Sequence, residues 1–141
     1  MDKRKEQKDV SEKSIKGLHI LLAEDNELNM EIAEFMLQNE GADVTKAWNG
    51  QEAVELFEKS RIGEFDVILM DIMMPVMNGY EATKRIRSLD REDAKTIPII
   101  AMTANAFTED RIRAKEAGMD EHVAKPVDVE LLIKVIHRLV E

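Results

Sequence analysis

The sequence predicts an α/β protein in which one sheet of five parallel strands is covered by helices on both faces. Short, almost continuously apolar segments recur along the chain, as is typical of strands buried on both faces. Longer segments with helical periodicity separate them, and this alternation is typical of parallel sheets. Right-handed crossovers then give a doubly wound (βα)5 sandwich. We take the strand order 2-1-3-4-5 from other doubly wound sheets, not from this sequence.

The apolar segments set the predicted strands, at residues 18–23, 42–47, 65–70, 97–102 and 121–124. The segments with helical spacing set the predicted helices, at residues 27–39, 51–59, 79–88, 107–117 and 128–140. Asn26 and Asp128 are N-cap candidates because their short polar side chains accept hydrogen bonds from the first helical turn. Gly41 and Gly118 end helices. Residues 89–96 are charged and are predicted to form a loop.

The first helix has an apolar stripe at helical spacing, which predicts its buried face. The stripe contains Ile32, Ala33, Met36 and Leu37. Met30 falls roughly opposite and is expected to be exposed near the strand ends. We interpret it as part of an exposed apolar patch.

Composition limits the classes of function. The chain has 141 residues, 44% of them hydrophobic, and no cysteine. This predicts one globular domain and excludes disulfides and thiolate chemistry. The net charge is −9, which argues against direct nucleic-acid binding, since phosphate contacts need clustered Lys and Arg. No segment approaches membrane-spanning length. We therefore expect no membrane contact by this chain and a cytoplasmic location.

Residues 1–17 differ from the rest of the chain. They are almost entirely polar, and residues 1–16 hold six Lys or Arg against four Asp or Glu, a net of +2. Such a segment buries too little apolar surface to fold alone. We interpret 1–17 as a charged leader or linker and 18–141 as the folded domain.

Polar residues follow four of the five predicted strands. They are Glu24 and Asp25 after the first strand, Asp71 after the third, Thr103 after the fourth and Lys125 after the fifth. The carboxyl ends of parallel strands share one edge, where open α/β sheets build their sites. Taken singly, the acids are equally well explained as turn or capping residues. Their convergence on the sheet centre favours a functional site.

Three neighbouring acids repel one another, so some of them must protonate or hold a cation. With oxygen ligands only, Mg²⁺ (or Mn²⁺) is the natural occupant. The backbone carbonyl of Met73 is a candidate additional ligand. A metal beside an acid, a hydroxyl and an ammonium indicates phosphoryl chemistry, with Asp71 as nucleophile and Thr103 and Lys125 on the phosphoryl oxygens. We also expect a cis peptide bond before Pro126.

These residues resemble the response-regulator receiver domain of two-component signalling, which has a flavodoxin/CheY-like fold. The resemblance covers about residues 18–140. Four stretches carry it: Leu21-Leu22-Ala23-Glu24-Asp25-Asn26, Asp71-Ile72-Met73-Met74-Pro75-Val76-Met77-Asn78-Gly79, Ala101-Met102-Thr103-Ala104 and Lys125-Pro126. Each stretch is weak alone, but all of them in order are highly specific.

The resemblance implies that Asp71 accepts a phosphoryl group from a phosphohistidine on a histidine kinase or histidine-phosphotransfer domain. It implies that Glu24, Asp25 and Asp71 bind Mg²⁺, that Thr103 and Lys125 contact the phosphoryl group, and that Thr103 moves with it. The backbone amide of Ala104 is a further expected donor. With this resemblance, the exposed patch at Met30 is interpreted as docking a four-helix histidine-phosphotransfer domain. Within the family, the motifs look most like receivers of hybrid sensor histidine kinases. Such a domain catalyses its own phosphotransfer and dephosphorylation rather than acting as a conventional enzyme.

One position departs from the family pattern. Three residues before the lysine, receivers usually carry a Tyr or Phe that turns inward as the threonine moves, and here that residue is His122. One hypothesis is that His122 acts as the switch and that its protonation makes the coupling pH-dependent. The alternative is a surface histidine at the edge of the sheet.

Several other classes fit less well. A flavodoxin-like FMN binder needs a phosphate loop where Glu24 and Asp25 stand. A haloacid-dehalogenase-type phosphatase normally has a second acid where this chain has Met73. A degenerate receiver acting as a scaffold would lack some of the site residues that are present here. Two hypotheses stay open: a relay module that passes phosphate to a histidine-phosphotransfer partner, and a stand-alone switch whose phosphorylated surface binds a target or forms a homodimer.

Overall fold

The protein forms one five-stranded parallel sheet with helices on both faces. The computed structural model describes residues 14–104 and 108–140. Residues 1–13 of the predicted leader, and the predicted helix start at Phe107, lie outside these ranges. The strands are β1 His19–Ala23, β2 Asp43–Ala47, β3 Val67–Asp71, β4 Ile99–Thr103 and β5 Glu121–Ala124. Their order is β2-β1-β3-β4-β5, and all neighbours are parallel, which confirms the predicted fold class.

The helices connect successive strands. They are α1 Glu27–Asn39, α2 Gly50–Lys59, α3 Gly79–Arg87, α4 Asp93–Thr96, α5 Thr108–Ala117 and α6 Val129–Val140. α1 and α6 pack on one face of the sheet, while α2, α3 and α5 pack on the other. Alternate strand residues, such as Ile68 and Leu69, face the two cores. This is why the strands read as continuous apolar runs.

The single helical turn α4 is a difference from the prediction of a loop over 89–96. Its charged residues are held by local partners: the Arg91 side chain lies 2.7 Å from Asp93, and the Gly63 amide donates to Asp93 at 2.9 Å. Ion pairs and backbone contacts therefore hold this charged segment in place. Helical periodicity in the sequence does not predict such contacts.

Three helices that begin at the carboxyl edge of the sheet share one type of cap. Asn26, Asn49 and Asn78 are the N-caps of α1, α2 and α3. Each side-chain oxygen accepts from the backbone amide three residues later, at 2.9 Å. Since each cap satisfies a helix amide that would otherwise lack a partner, the caps fix where the helices begin beside the site.

The predicted buried face of α1 is right for Leu37, which is 1% exposed, and wrong for Ile32 and Met30. Met30 is fully buried with Leu37, whereas Ile32 is 49% exposed. Leu28 and Phe35 are also exposed, at 63% and 69%. The helix carries apolar residues on several sides, so hydrophobic spacing alone did not identify the side that faces the sheet. Met30 is consequently a core residue rather than a docking residue.

The packed chain begins before the predicted domain start at residue 18. Ile15 is fully buried in the core beneath α1 and α6. The Gly17 amide donates to the Gly41 carbonyl at 2.9 Å, which ties this segment to the end of α1. The boundary between leader and domain otherwise stays a prediction.

None of the helices in the described ranges combines the length and the apolar character that crossing a bilayer requires.

Candidate functional site

The end of β1 places two acids at the carboxyl edge of the sheet. Glu24 is buried, at 2% exposure, while Asp25 is exposed. The Glu24 amide donates to the Ala47 carbonyl at 3.0 Å, and the Asn26 amide donates to Glu24 Oε2 at 3.0 Å. These bonds hold the β1–α1 turn and keep one Glu24 oxygen engaged with the backbone.

Asp71 is the last residue of β3 and lies at the centre of the same edge, only 4% exposed. The next amide, of Ile72, donates to the Met102 carbonyl at 3.1 Å, and the Gly79 amide donates to the Ile72 carbonyl at 2.8 Å. A side chain at Gly79 would collide with the backbone oxygen of Asp71. The absence of a Cβ at the start of α3 therefore lets this helix pack directly against the strand end.

The three acids converge as predicted. Glu24, Asp25 and Asp71 each offer a carboxylate oxygen, and these oxygens lie within 4.8 Å of one another. Burial raises the pKa of Asp71 to about 6; the hydrogen bond from Lys125 opposes this shift, and the charge of Glu24 adds to it. The cluster thus holds excess negative charge in a partly desolvated place, which a cation would relieve.

Lys125 supplies a cation to this cluster from the end of β5. Its Nζ lies 2.8 Å from Glu24 Oε1 and 3.0 Å from Asp71 Oδ2. Burial by itself would lower the pKa of Lys125, but the hydrogen bonds to Glu24 and Asp71 outweigh burial and raise it. The Lys125–Pro126 peptide bond is cis, as expected.

The remaining predicted residues surround this cluster. Thr103 ends β4 next to Asp71 and is 8% exposed, and its carbonyl accepts from the Lys125 amide at 2.9 Å. Ala104 follows it and is exposed. The Met73 side chain, two residues beyond Asp71, is 76% exposed. His122 lies on β5, and with Thr103 it lines a narrow crevice under α5.

The donor set fits a hard divalent cation. All three side chains offer oxygen, as Mg²⁺ prefers, and the exposure of Asp25 leaves room for the waters that this ion retains. The Lys125 ammonium lies between two of the same carboxylates. The chain thus has both an internal cation and the ligands for an external one.

The fold and the site together define a doubly wound α/β protein with an acidic cluster and a lysine at the carboxyl edge of its central strands. The model of the response regulator receiver domain matches residues 20–137, and the chain belongs to this family.

Curated relatives place such domains within much longer proteins. Histidine kinase 1 of Arabidopsis thaliana is 36% identical over 89% of this chain, and hybrid signal transduction histidine kinase M of Dictyostelium discoideum is 43% identical over 86%. The chain spans only 13% and 5% of the lengths of these two proteins. It therefore corresponds to one domain of these multidomain kinases.

Solved structures show the same fold. The receiver domain of the sensor histidine kinase PA1611 from Pseudomonas aeruginosa, with a magnesium ion in its active-site cleft, is 41% identical. It covers 88% of this chain and 98% of its own, with a TM-score of 0.79. A second match is a co-crystal structure of the Saccharomyces cerevisiae phosphotransfer protein Ypd1 with the receiver domain of Ssk1. It is 30% identical, with a TM-score of 0.78, and covers 89% of this chain and 90% of its own.

Sequence reasoning missed the exposed apolar residues beside the site. Leu28, Ile32 and Phe35 form an exposed set on α1, which we call the α1 patch. Their spacing of four and three residues was a readable signal for one helix face. It competed with the equally regular spacing of Met30, Ala33 and Leu37, which turned out to be the inner face.

Proposed function

We propose that this domain accepts a phosphoryl group from a phosphohistidine onto Asp71 in a two-component phosphorelay. One observation carries the proposal: Asp71 lies buried beside two further carboxylates and 3.0 Å from the Lys125 ammonium. Such an arrangement stabilises phosphoryl oxygens while presenting a carboxylate nucleophile. It suits phosphoryl transfer better than the binding of a larger substrate.

The chemistry assigned to each residue follows from its position. A carboxylate oxygen of Asp71 attacks phosphorus in line, an acyl-phosphate bond forms, and the P–N bond to the donor imidazole breaks. The imidazole leaves with the bonding electron pair and takes up a proton. Lys125, the Thr103 hydroxyl and the Ala104 amide contact the phosphoryl oxygens. Water later hydrolyses the acyl phosphate, so the domain dephosphorylates itself.

The residues proposed to hold Mg²⁺ are Glu24, Asp25 and Asp71, together with the Met73 carbonyl. When bound, Mg²⁺ neutralises the charge that develops on the transferred group. Two observations support this assignment: the three carboxylates converge, and the magnesium-containing receiver domain of PA1611 shares the fold.

The proposed phosphodonor is a histidine kinase or a histidine-phosphotransfer domain that docks on the α1 patch. Ile32 and Phe35 expose apolar surface on the helix that starts beside the acids, and exposed apolar patches mark interaction sites. The Ypd1–Ssk1 co-crystal structure supports a partner of this kind. We further propose a cytoplasmic location and a place in a hybrid histidine kinase, like the relatives.

A stand-alone switch that dimerises when phosphorylated is the second candidate. Ile112 on α5 and Leu131 on α6 expose about half of their surface away from the α1 patch, at 52% and 50%. His122 and Thr103 would carry the signal to this side, since both line the crevice under α5.

Phosphotransfer profiling tests the proposal. Purified domain is mixed with phosphorylated candidate kinases and phosphotransfer domains, and separately with acetyl phosphate and Mg²⁺. We expect the acid-labile label on the donor phosphohistidine to fall while a hydroxylamine-sensitive label appears on the wild type, and no label to appear on Asp71→Asn. Equal labelling of wild type and Asp71→Asn, or no labelling of wild type by acetyl phosphate with Mg²⁺, contradicts the proposal.

A further inference from the structure

A cleft of about 490 Å³ lies between α1 and the loop that joins β5 to α6. Clefts that bind small molecules usually measure about 300 to 1,000 Å³. Two other clefts in the described ranges, one beside α2 and one between α5 and β5, measure about 240 and 230 Å³. Of these three, the cleft beside α1 is therefore the one with room for such a ligand, and we call it the α1 cleft.

The walls of the α1 cleft are mostly apolar. On the helix it is lined by Ile32, Ala33 and Met36, which belong to the stripe that the sequence predicts to be buried. Ile32, which is also part of the α1 patch, is 49% exposed, and Ala33 and Met36 are only half-buried. Pro126 and Val127 contribute the side formed by the β5–α6 loop. Because apolar surface gains free energy when water is excluded from it, these walls favour an apolar molecule of matching size.

The charged residues that line the α1 cleft are paired with each other. Glu24 Oε1 lies 2.8 Å from Lys125 Nζ, and Glu24 Oε2 accepts from the Asn26 amide at 3.0 Å. A ligand anion would be repelled by Glu24 and by Asp71, which also contacts Lys125. A ligand cation would have to compete with Lys125 for the Glu24 carboxylate. An uncharged ligand is therefore favoured.

Asn29 supplies a hydrogen-bonding group at the polar end of the α1 cleft. It is exposed and lies one turn before Ile32 and Ala33. Its hydrogen bond to the Asn26 cap uses the backbone amide, so the side-chain amide, which has an acceptor and two donor positions, remains for a ligand. A ligand amide can both donate to such a side chain and accept from it, whereas a carboxylate can only accept.

We propose that the α1 cleft is a binding site for a small uncharged molecule that has an apolar body and an amide or hydroxyl group at one end. The body packs between α1 and Val127, and the polar end hydrogen-bonds to Asn29. Glu24 and Lys125 belong both to the α1 cleft and to the acidic cluster. A molecule in the α1 cleft therefore lies against residues of the phosphoacceptor site.

The test uses 1-naphthaleneacetamide, which has the proposed chemistry, and 1-naphthaleneacetate, which has the same size but carries a negative charge. Binding is followed by NMR of the full chain, labelled with ¹³C at the methionine methyl groups. Met36 and Met102 line the α1 cleft. Met70, Met74 and Met77 lie in the core on the other face of the sheet and serve as internal controls.

We expect the amide to shift the Met36 and Met102 signals saturably, with a dissociation constant of about 0.1–1 mM for a ligand of this size. The signals of the three control methionines should not move. The carboxylate should bind at least about tenfold more weakly, because it cannot donate a hydrogen bond to Asn29 and is repelled by Glu24.

Asn29→Leu and Ala33→Leu test the two parts of the site. Asn29→Leu keeps the Asn26 cap but removes the polar group, so it should weaken binding of the amide by about 3- to 10-fold. Ala33→Leu fills the cleft and should abolish the saturable shifts. Asn39→Leu is the matched control, because it makes the same change at an exposed position at the other end of α1. Its affinity should stay within about twofold of wild type. Urea unfolding checks the fold of each variant.

The proposal is wrong if the amide shifts neither Met36 nor Met102, or if it shifts the control methionines equally. Equal affinity for the amide and the carboxylate overturns the choice of an uncharged ligand. Wild-type affinity in Asn29→Leu, or in a folded Ala33→Leu, places the bound compound outside the α1 cleft and overturns the site. None of these measurements involves phosphorylation, so each of these failures leaves the proposed function standing.

Discussion

At the scale of the single residue, the raised pKa of Asp71 has a measurable effect on stability. The pKa moves from 3.8 to about 6 because the carboxyl is buried and faces Glu24. Between these two values, the folded protein keeps a proton that the unfolded chain releases. The free energy of unfolding therefore falls as pH rises from about 4 to 6, and it stays lowered above that range.

Asp71→Asn should remove this pH-dependent cost. Without divalent cations, we expect the variant to unfold with a free energy about 1 to 3 kcal/mol above that of wild type at pH 8. The difference should shrink towards zero by pH 4, where wild-type Asp71 is protonated in the folded protein. Urea unfolding at pH 4, 6 and 8 measures it, with exposed Asp43→Asn as the control for losing one acid. A difference that does not change with pH contradicts the explanation.

His122 gives a second prediction at this scale. Its place beside Thr103, with Asp110 and Arg111 lining the same crevice, puts a titratable ring where the family usually has an uncharged aromatic one. We expect phosphorylation-linked partner binding to change with pH in wild type and to vary less in His122→Tyr. Binding measured with and without beryllofluoride and Mg²⁺ from pH 6 to 8 tests this expectation. If wild type and His122→Tyr give identical binding curves across this pH range, His122 is a surface histidine and not a switch.

The sequence predicted which side chains lie together at the edge of the sheet. It did not predict the pKa of Asp71 or the backbone conformation of Val76. Glu24, Asp71 and Lys125 each follow an apolar run, and parallel strands deliver such positions to one edge. The raised pKa of Asp71 depends on burial and on the distances to its neighbours. The φ of +69° at Val76 belongs to a γ-turn in which the Met77 amide donates to the Pro75 carbonyl. Neither the pKa nor the backbone angle can be predicted from residue spacing.

At the scale of the element, the start of α3 positions the phosphoacceptor strand. A methyl group at Gly79 would collide with the Asp71 carbonyl, so Gly79→Ala must push α3 away from β3. We expect a loss of about 1–3 kcal/mol in the free energy of unfolding, as for other overpacked sites. Transfer from acetyl phosphate should slow as well, because the Asp71 backbone has to shift.

Gly63→Ala is the matched control for this variant. Gly63 has a φ of +83° and nothing within 4 Å of the position that a Cβ would take, so only the backbone conformation is strained. Its cost should be about 1–2 kcal/mol with phosphorylation unchanged. If Gly79→Ala is phosphorylated as fast as Gly63→Ala, close packing of α3 on the strand end does not position Asp71.

Helix α1 shows where element-level prediction is limited. Its existence, its Asn26 cap and its end near Gly41 follow from local sequence signals. Its orientation does not, because apolar residues occur on the inner face at Met30 and on the outer face at Ile32. The outer residues are retained beside the acidic cluster, where a partner binds in our proposal. Because the outer face of α1 keeps apolar residues for binding, the contrast between its polar and apolar faces is weak. The side of the helix that faces the sheet is therefore hard to predict from the sequence.

At the scale of the whole molecule, the topology divides the surface into two regions with different uses. Strand order β2-β1-β3-β4-β5 centres the acids between α1 on one face and α2 and α3 on the other. The α1 patch borders this centre. The surface of α5, β5 and α6 lies to one side of it, as the second candidate function requires. The order itself came from other doubly wound sheets, so its confirmation supports the family assignment more than the sequence reasoning.

The distribution of exposed apolar residues predicts that the domain remains a monomer when phosphorylated. A stable dimer buries about 1,200–2,000 Å² in total. On α5 and α6, the exposed large apolar residues are Ile112, Leu131 and Val140, whereas α1 alone exposes Leu28, Ile32 and Phe35. Size-exclusion chromatography with light scattering, with and without beryllofluoride and Mg²⁺, should give one monomeric mass in both states. A dimer that forms only with beryllofluoride and is lost in Leu131→Asp would favour the stand-alone switch over the relay module.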